Sequence, residues 1–174
     1  MKHSYLPAGI AALALLGACQ SMRSDAPRAT AVLEPTTGST VRGNVSFVQR
    51  GDHVHVTAKI TGLRPNGEFG FHIHEAGDCS SGDGMSTKGH FNPYGKPHAH
   101  AGTPERHAGD LPSLKSDGGG NASVTANLDI ITVSPGPASV VGRGLIVHAQ
   151  PDDFTTLPTG NAAARSACAV IQRS

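Results

Sequence analysis

Six histidines and one aspartate follow one another as His72-x-His74, His90, His98, His107-x-x-Asp110 and His148, enough donors for two adjacent metal sites. Neutral imidazole suits copper and zinc, a hard carboxylate among imidazoles suits zinc, and the set includes no thiolate. The chemistry to expect is redox. On a strand, residues i and i+2 share a face about 6.6 Å apart. His72 and His74 in Phe71-His72-Ile73-His74 can therefore converge on one ion while Phe71 and Ile73 face a core. His148 closes the apolar run Leu145-Ile146-Val147 and can approach the same ion from a neighbouring strand. His90, His98, His107 and Asp110 lie among glycines and prolines, where a bound ion gives the chain its reason to stay ordered, so metal binding there is loop folding. His100, two residues after His98, is an alternative loop donor. His53-Val54-His55 repeats the spacing of the first pair, but its face continues through Thr57 and Lys59 and reads as a solvated strand surface.

Short strands must position these donors. The chain has 174 residues, which fits one domain of about 140 to 150 residues behind an N-terminal extension. With aromatics at 4% and no Trp, the core has to come from Val, Ile, Leu and Ala. Residues 29–33, 41–48 and 53–61 alternate or cluster β-branched side chains between turn signals at Thr37-Gly38, Arg50-Gly51-Asp52 and Arg64-Pro65-Asn66-Gly67. Residues 68–74, 121–131, 142–148 and 167–172 bring the expectation to about eight strands, with no convincing helical period. That pattern predicts an all-β sandwich or barrel. Two long connections interrupt it, residues 75–111 and 149–164, and both border the histidines. Loops of that length normally carry function or are held by metal or disulfide.

Residues 1–18 read as an export signal: Lys2 gives a positive start, and Leu6 to Leu16 is an apolar run too short for a permanent span. The run ends Leu16-Gly17-Ala18-Cys19, which resembles the lipobox of bacterial lipoproteins; the alternative is an ordinary signal with a coincidental cysteine. On the lipoprotein reading, Cys19 is the acylated first residue of the mature chain, several acyl chains give a durable anchor, and residues 19–28 form a flexible tether. Gln20, in place of Asp, points to the outer membrane where one exists. Residues 29–174 are then the functional domain, exported to the periplasm and held at a membrane. Cys79 and Cys168 remain as a pair that an oxidising compartment would bridge, as against two free buried thiols. Loss of residues 1–18 removes Lys2 and no acid, turning 14 basic against 13 acidic residues into 13 of each. No basic run exists to displace counterions from a phosphate backbone, so nucleic acid is not an expected partner.

Five blocks carry a family resemblance: Gly70-Phe71-His72-Ile73-His74-Glu75, Gly89-His90-Phe91-Asn92-Pro93, His107-Ala108-Gly109-Asp110-Leu111, Gly142-Arg143-Gly144-Leu145-Ile146-Val147-His148, and residues 160–168 ending Arg165-Ser166-Ala167-Cys168. In this order, and with intervals of eight, nine and three residues from His90 through His98 and His107 to Asp110, they resemble copper/zinc superoxide dismutase. The same intervals favour His98 over His100. The resemblance implies a Greek-key β-sandwich or flattened barrel. It implies one copper per subunit on His72, His74, His90 and His148, and one zinc on His90, His98, His107 and Asp110, with His90 bridging both ions. Asp152 matches a carboxylate that links a copper histidine to a zinc histidine, and Arg165 matches an arginine beside the open copper position. A Cys79–Cys168 disulfide is implied too, although Cys79 follows the His-x-His pair sooner than its counterpart does in eukaryotic members. The implied reaction is dismutation of superoxide by alternating Cu(II) and Cu(I), with His90 exchanging a proton, in a monomer or a homodimer. One segment departs from the pattern. Residues 153–159 are shorter than the corresponding eukaryotic loop and lack its charges, leaving Lys88 and Lys96 as sources of guidance or as merely solvated lysines. The competing reading is a periplasmic copper-buffering lipoprotein without turnover.

Overall fold

The computed structural model describes Met1 and residues 26–174; the export signal, Cys19 and most of the tether fall outside the described residues. Alternation of apolar and polar residues builds the first three strands. β1 (Arg28–Pro35) buries Ala29, Ala31 and Leu33, β2 (Arg42–Arg50) buries Val45 and Phe47, and β3 (His53–Thr61) buries Val54, Val56, Ala58 and Ile60. They form an antiparallel meander. The remaining strands are β4 (Glu68–Phe69), β5 (Phe71–His74), β6 (Leu114–Lys115), β7 (Ala122–Leu128), β8 (Gly144–His148), β9 (Arg165–Val170) and β10 (Gln172–Arg173). The only helical element among the described residues is a 3-10 turn at Met85–Thr87.

The main sheet runs β5-β8-β9-β1-β2-β3-β7, with β10 also on β1 and a small β4-β6 ladder beside it; every strand pair is antiparallel. Neighbours distant in sequence, β3 with β7, β5 with β8 and β9 with β1, are the long returns of a Greek key. The core holds Leu33, Ile60, Ile73, Leu114, Leu145 and Ile171, all fully buried, but it is not aliphatic alone: Phe47 and Phe71 are fully buried too, and Phe69 and Phe91 join them, so the few aromatics are concentrated there. Each contributes about 1.5–3 kcal/mol by leaving water. The expected run 68–74 divides at Gly70, because the backbone there bonds to Gln150 and His148 and a Cβ would sit 2.9 Å from that of Ala162. The expected run 167–172 begins earlier, at Arg165, and divides at Ile171, whose N–H bonds to Arg143.

β5 and β8 are buried on both faces, and this is what positions the histidines. Phe71, Ile73, Leu145 and Val147 belong to the core, whereas His72, His74, Ile146 and His148 lie under the two long loops. Gly144 and Gly109 admit those loops: a Cβ on Gly144 would meet Ala76 O at 2.6 Å, and one on Gly109 would meet Ile73 O at 2.2 Å.

Candidate metal centre

The first loop approaches β5 by strand-like contacts, with isolated bridges pairing His72 with Asp110 and His74 with His90. Ile73 N–H bonds to Gly109 O at 2.9 Å and Phe91 N–H to Ile73 O at 2.8 Å. His90 and Asp110 are thereby carried onto the strand that bears His72 and His74. β8 delivers His148 beside them, its N–H donating to Gly70 O at 2.9 Å. Two buried groups result, His72 with His74, His90 and His148, and His90 with His98, His107 and Asp110; in each, the donor atoms all lie within 4.8 Å of one another.

In the mixed group, His90 Nδ1 and His98 Nδ1 are each 3.0 Å from Asp110 Oδ1, and His107 Nδ1 is 3.4 Å from His90 Nδ1. Asp110 Oδ2 is fixed from behind by the N–H groups of Ala99 (3.2 Å) and His107 (3.1 Å). In the four-imidazole group, His74 Nε2 and His148 Nε2 face each other at 3.4 Å. His72 Nδ1 and His90 Nε2 are buried with no hydrogen-bond partner. An orphaned buried nitrogen is costly in a folded protein, and a cation shared by the group removes that cost. A tetrahedral ion with metal–nitrogen bonds of about 2.0–2.1 Å sets its donors about 3.3 Å apart, which the mixed group matches closely. The residues therefore fit metal ions.

The outward nitrogens have acceptors that fix the tautomers. His74 Nδ1 donates to Lys88 O (2.8 Å), His72 Nε2 to Asp152 Oδ2 (2.7 Å) and His98 Nε2 to Asp152 Oδ1 (2.8 Å). His148 Nδ1 lies 3.4 Å from Ala163 O. Such partners leave the opposite nitrogen's lone pair directed inward. For three of the rings the electrostatics agree. Burial pushes His74 and His148 far below the ordinary imidazole range and His90 down to about 4, keeping those rings neutral as metal ligation requires. Burial also opposes charge on His98, but its bonds to Asp110 and Asp152 carry it up to about 9. Both carboxyls are held well below their usual range despite burial, Asp110 by His107, His90 and His98, and Asp152 by His72 and His98.

Arg165 reaches the site through a β-bulge. Ile146 pairs with Cys168 and Val147 with Ala167, but His148 pairs with Arg165, so Ser166 is skipped. Without that extra residue Arg165 would share the core-facing side of Ala167; with it, the side chain turns to the histidine side. Its guanidinium donates to Gly84 O (2.6 Å), Thr87 Oγ1 (2.7 Å) and Lys88 O (2.6 Å). Arg165 shares with His74, His90, His148, Met85 and Thr159 the wall of an open cavity of about 270 Å³. Cys79 and Cys168 form a disulfide, Cα atoms 6.0 Å apart, that ties this first loop to β9.

The other candidates stand apart. His100 is exposed, its Nδ1 accepting from Gly102 N–H at 3.1 Å. His55 pairs with Asn127 and His53 with Asp52 on the outer face of β3. Lys96 is engaged with Glu105 at 2.7 Å, while Lys88 is exposed. Sequence reasoning missed the carbonyls of Lys88, Gly84 and Ala163. Two of these residues carry a signal only in hindsight: Lys88 and Ala163 adopt φ of 63°, rare for side chains other than glycine.

Comparison with known proteins bears on the same residues. The family model described as copper/zinc superoxide dismutase matches residues 41–171. "Superoxide dismutase [Cu-Zn] 2" of Aquifex aeolicus (strain VF5) is 37% identical over 168 residues, 94% of this chain and 97% of that one. "Superoxide dismutase [Cu-Zn]" of Paramecium bursaria Chlorella virus 1 is 40% identical over 149 residues, 82% of this chain and 76% of the other. Among solved structures, the clock protein EA4 superposes with a TM-score of 0.77 at 42% identity, covering 84% of this chain and 94% of its own. A match across most of the β-domain, on a fold that gathers two imidazole-rich groups around one shared ring, makes this chain a member of the copper/zinc superoxide dismutase family.

Proposed function

We propose that His72, His74, His90 and His148 hold copper and that His90, His98, His107 and Asp110 hold zinc, in a dismutase that converts two superoxide anions and two protons to dioxygen and hydrogen peroxide. The observation that carries the assignment is the His90 ring, which presents Nδ1 to the Asp110 group and an unpartnered, buried Nε2 to the other three imidazoles. When bound, copper supplies the electron store and zinc a fixed charge without redox.

The chain's own residues account for the rest. His90 is placed to hold and release a proton at Nε2, the buried nitrogen that has no protein partner, while Nδ1 faces the Asp110 group. Arg165 offers a planar, permanently charged fork to a small anion in the cavity. Burial lowers its proton affinity somewhat, but an arginine stays ionised. Three acceptors fix that fork before substrate arrives, so orienting the anion requires little rearrangement. Asp152 holds two rings of different groups at fixed angles. We further propose that the protein is exported to the periplasm and anchored by lipid at Cys19. The apolar run ending at Ala18 supports this, as does a disulfide suited to an oxidising compartment.

Superoxide consumption after pulse generation tests the reaction. The copper-loaded chain is expected to outpace both its copper-free form and Arg165→Ala, the latter slowed about 10- to 100-fold by loss of the fixed charge. A copper-loaded wild type no faster than free copper would leave only metal storage.

A further inference from the structure

The segment 153–159 between β8 and β9 brings no positive charge for steering an anion. Its one ionisable residue, Asp153, is spent inside the loop, accepting from Thr155 N–H (3.0 Å), Thr156 N–H (2.7 Å) and the Thr156 hydroxyl (2.6 Å). Asp153 N–H donates to Gly160 O (2.9 Å) and Gly160 N–H to Thr156 O (2.7 Å), so the loop closes on itself.

Its inner side lies on one hydrogen bond. Phe154 takes a left-handed backbone (φ 56°), its N–H donates to Asp152 Oδ1 at 2.9 Å, and its ring lies offset from and near-parallel to that of His98, centroids 6.5 Å apart and planes 20° apart. The same ring meets His100 edge-on at 5.0 Å. From the opposite end, the Gly160 backbone is so close that a Cβ there would sit 1.7 Å from Asp152 Oδ1 and 2.6 Å from His98 Nε2. Ring and backbone therefore enclose the His98–Asp152 contact. For His98 to leave a metal ion its ring must turn, which breaks the Nε2 hydrogen bond to Asp152 at a point where the Gly160 backbone lies against both groups and the Phe154 ring lies alongside.

We propose that residues 153–160 form a clasp over the zinc site, in which Phe154 and Gly160 are positioning residues that hold the His98–Asp152 hydrogen bond and so set how fast zinc leaves. This rests on the zinc assignment above. The shortened loop would then serve retention of the metal, and steering would fall to other residues.

Zinc release from the fully metallated protein into excess chromophoric chelator, with bound metal counted by elemental analysis, tests the clasp. Phe154→Ala is expected to release zinc about tenfold faster, as is common when partners of metal ligands are disturbed, and Gly160→Ala faster still. Phe154→Tyr, which keeps the ring, should stay within about twofold of wild type. The metal-free Phe154→Ala protein should keep a cooperative thermal transition, its midpoint lowered by no more than a few degrees for loss of a half-buried ring. Release at the wild-type rate in both alanine variants would overturn the proposal. So would faster release accompanied by an equal loss of metal-free stability and no rescue by tyrosine. A wild type that retains no zinc after washing would sink the ligand assignment and the clasp with it, whereas zinc that is retained but released alike by all variants would sink the clasp alone.

Discussion

The imidazoles of the centre divide by the sign of their interaction with protons. Burial holds His74, His90 and His148 below the ordinary 6.5, His90 at about 4, whereas Asp110 and Asp152 lift His98 to about 9 against the pull of burial. In the metal-free protein these act in opposite directions. Below pH 6.5 the unfolded chain takes up a proton at residue 90 that the folded chain refuses, so stability falls toward pH 4, by about 3 kcal/mol from His90 alone. His74, His148 and the two depressed carboxyls act with the same sign on acidification. His98 gives stability that is fully present below 6.5 and is lost as the pH climbs through about 9. Metal-free protein should therefore be most stable near pH 6.5, as read from urea midpoints at about pH 5, 6.5 and 8.5. A midpoint still rising at the highest pH would contradict the charged His98–carboxylate arrangement.

Among the elements, the first loop depends most on a covalent tie. The Cys79–Cys168 bond spans 89 residues, and closing a loop of that size restricts the unfolded chain by about 4 to 5 kcal/mol in the chain-entropy account. It also anchors the segment whose Gly84, Thr87 and Lys88 orient Arg165. Reduction, or Cys168→Ser, should cost stability of that order in denaturant and slow superoxide consumption in the metal-loaded protein. Unchanged turnover would show that the loop orients Arg165 without the tie. Much of this architecture is legible in the sequence. The alternation in residues 53–61 gives β3 its ends as observed, and β5 keeps histidines and core residues on opposite faces as period two demands. What is hidden is tertiary in origin. Leu114–Lys115 is too short for a pattern and becomes a strand only beside Glu68–Phe69. The bulge at Ser166 leaves no mark in residue type, yet it decides which face Arg165 takes. The donor set is legible because ligation needs particular side chains, whereas Lys88 and Ala163 contribute carbonyl groups that every residue possesses. Lys88 accepts an unfavourable φ of 63° to turn that carbonyl inward, at a strain of about 1–3 kcal/mol.

For the molecule as a whole, the metal centre belongs to the β-domain and the proposed membrane anchor to the residues before it. If Cys19 carries lipid, the protein expressed in a bacterium will sediment with envelope membranes, and Cys19→Ser will release it without change in turnover. Mass spectrometry of the mature N-terminus should find an acylated cysteine, and an unmodified residue 19 would refute the anchor. Within the domain, a single carboxylate, Asp152, grips one ring from each metal group. Binding at the two groups is consequently coupled: ordering Asp152 for one cation supplies part of the ordering needed by the other. Thermodynamic reciprocity then requires that whatever factor zinc adds to copper's affinity, copper adds to zinc's. Should zinc tighten the hold on copper, a cell short of either element would field a protein that holds the other less tightly.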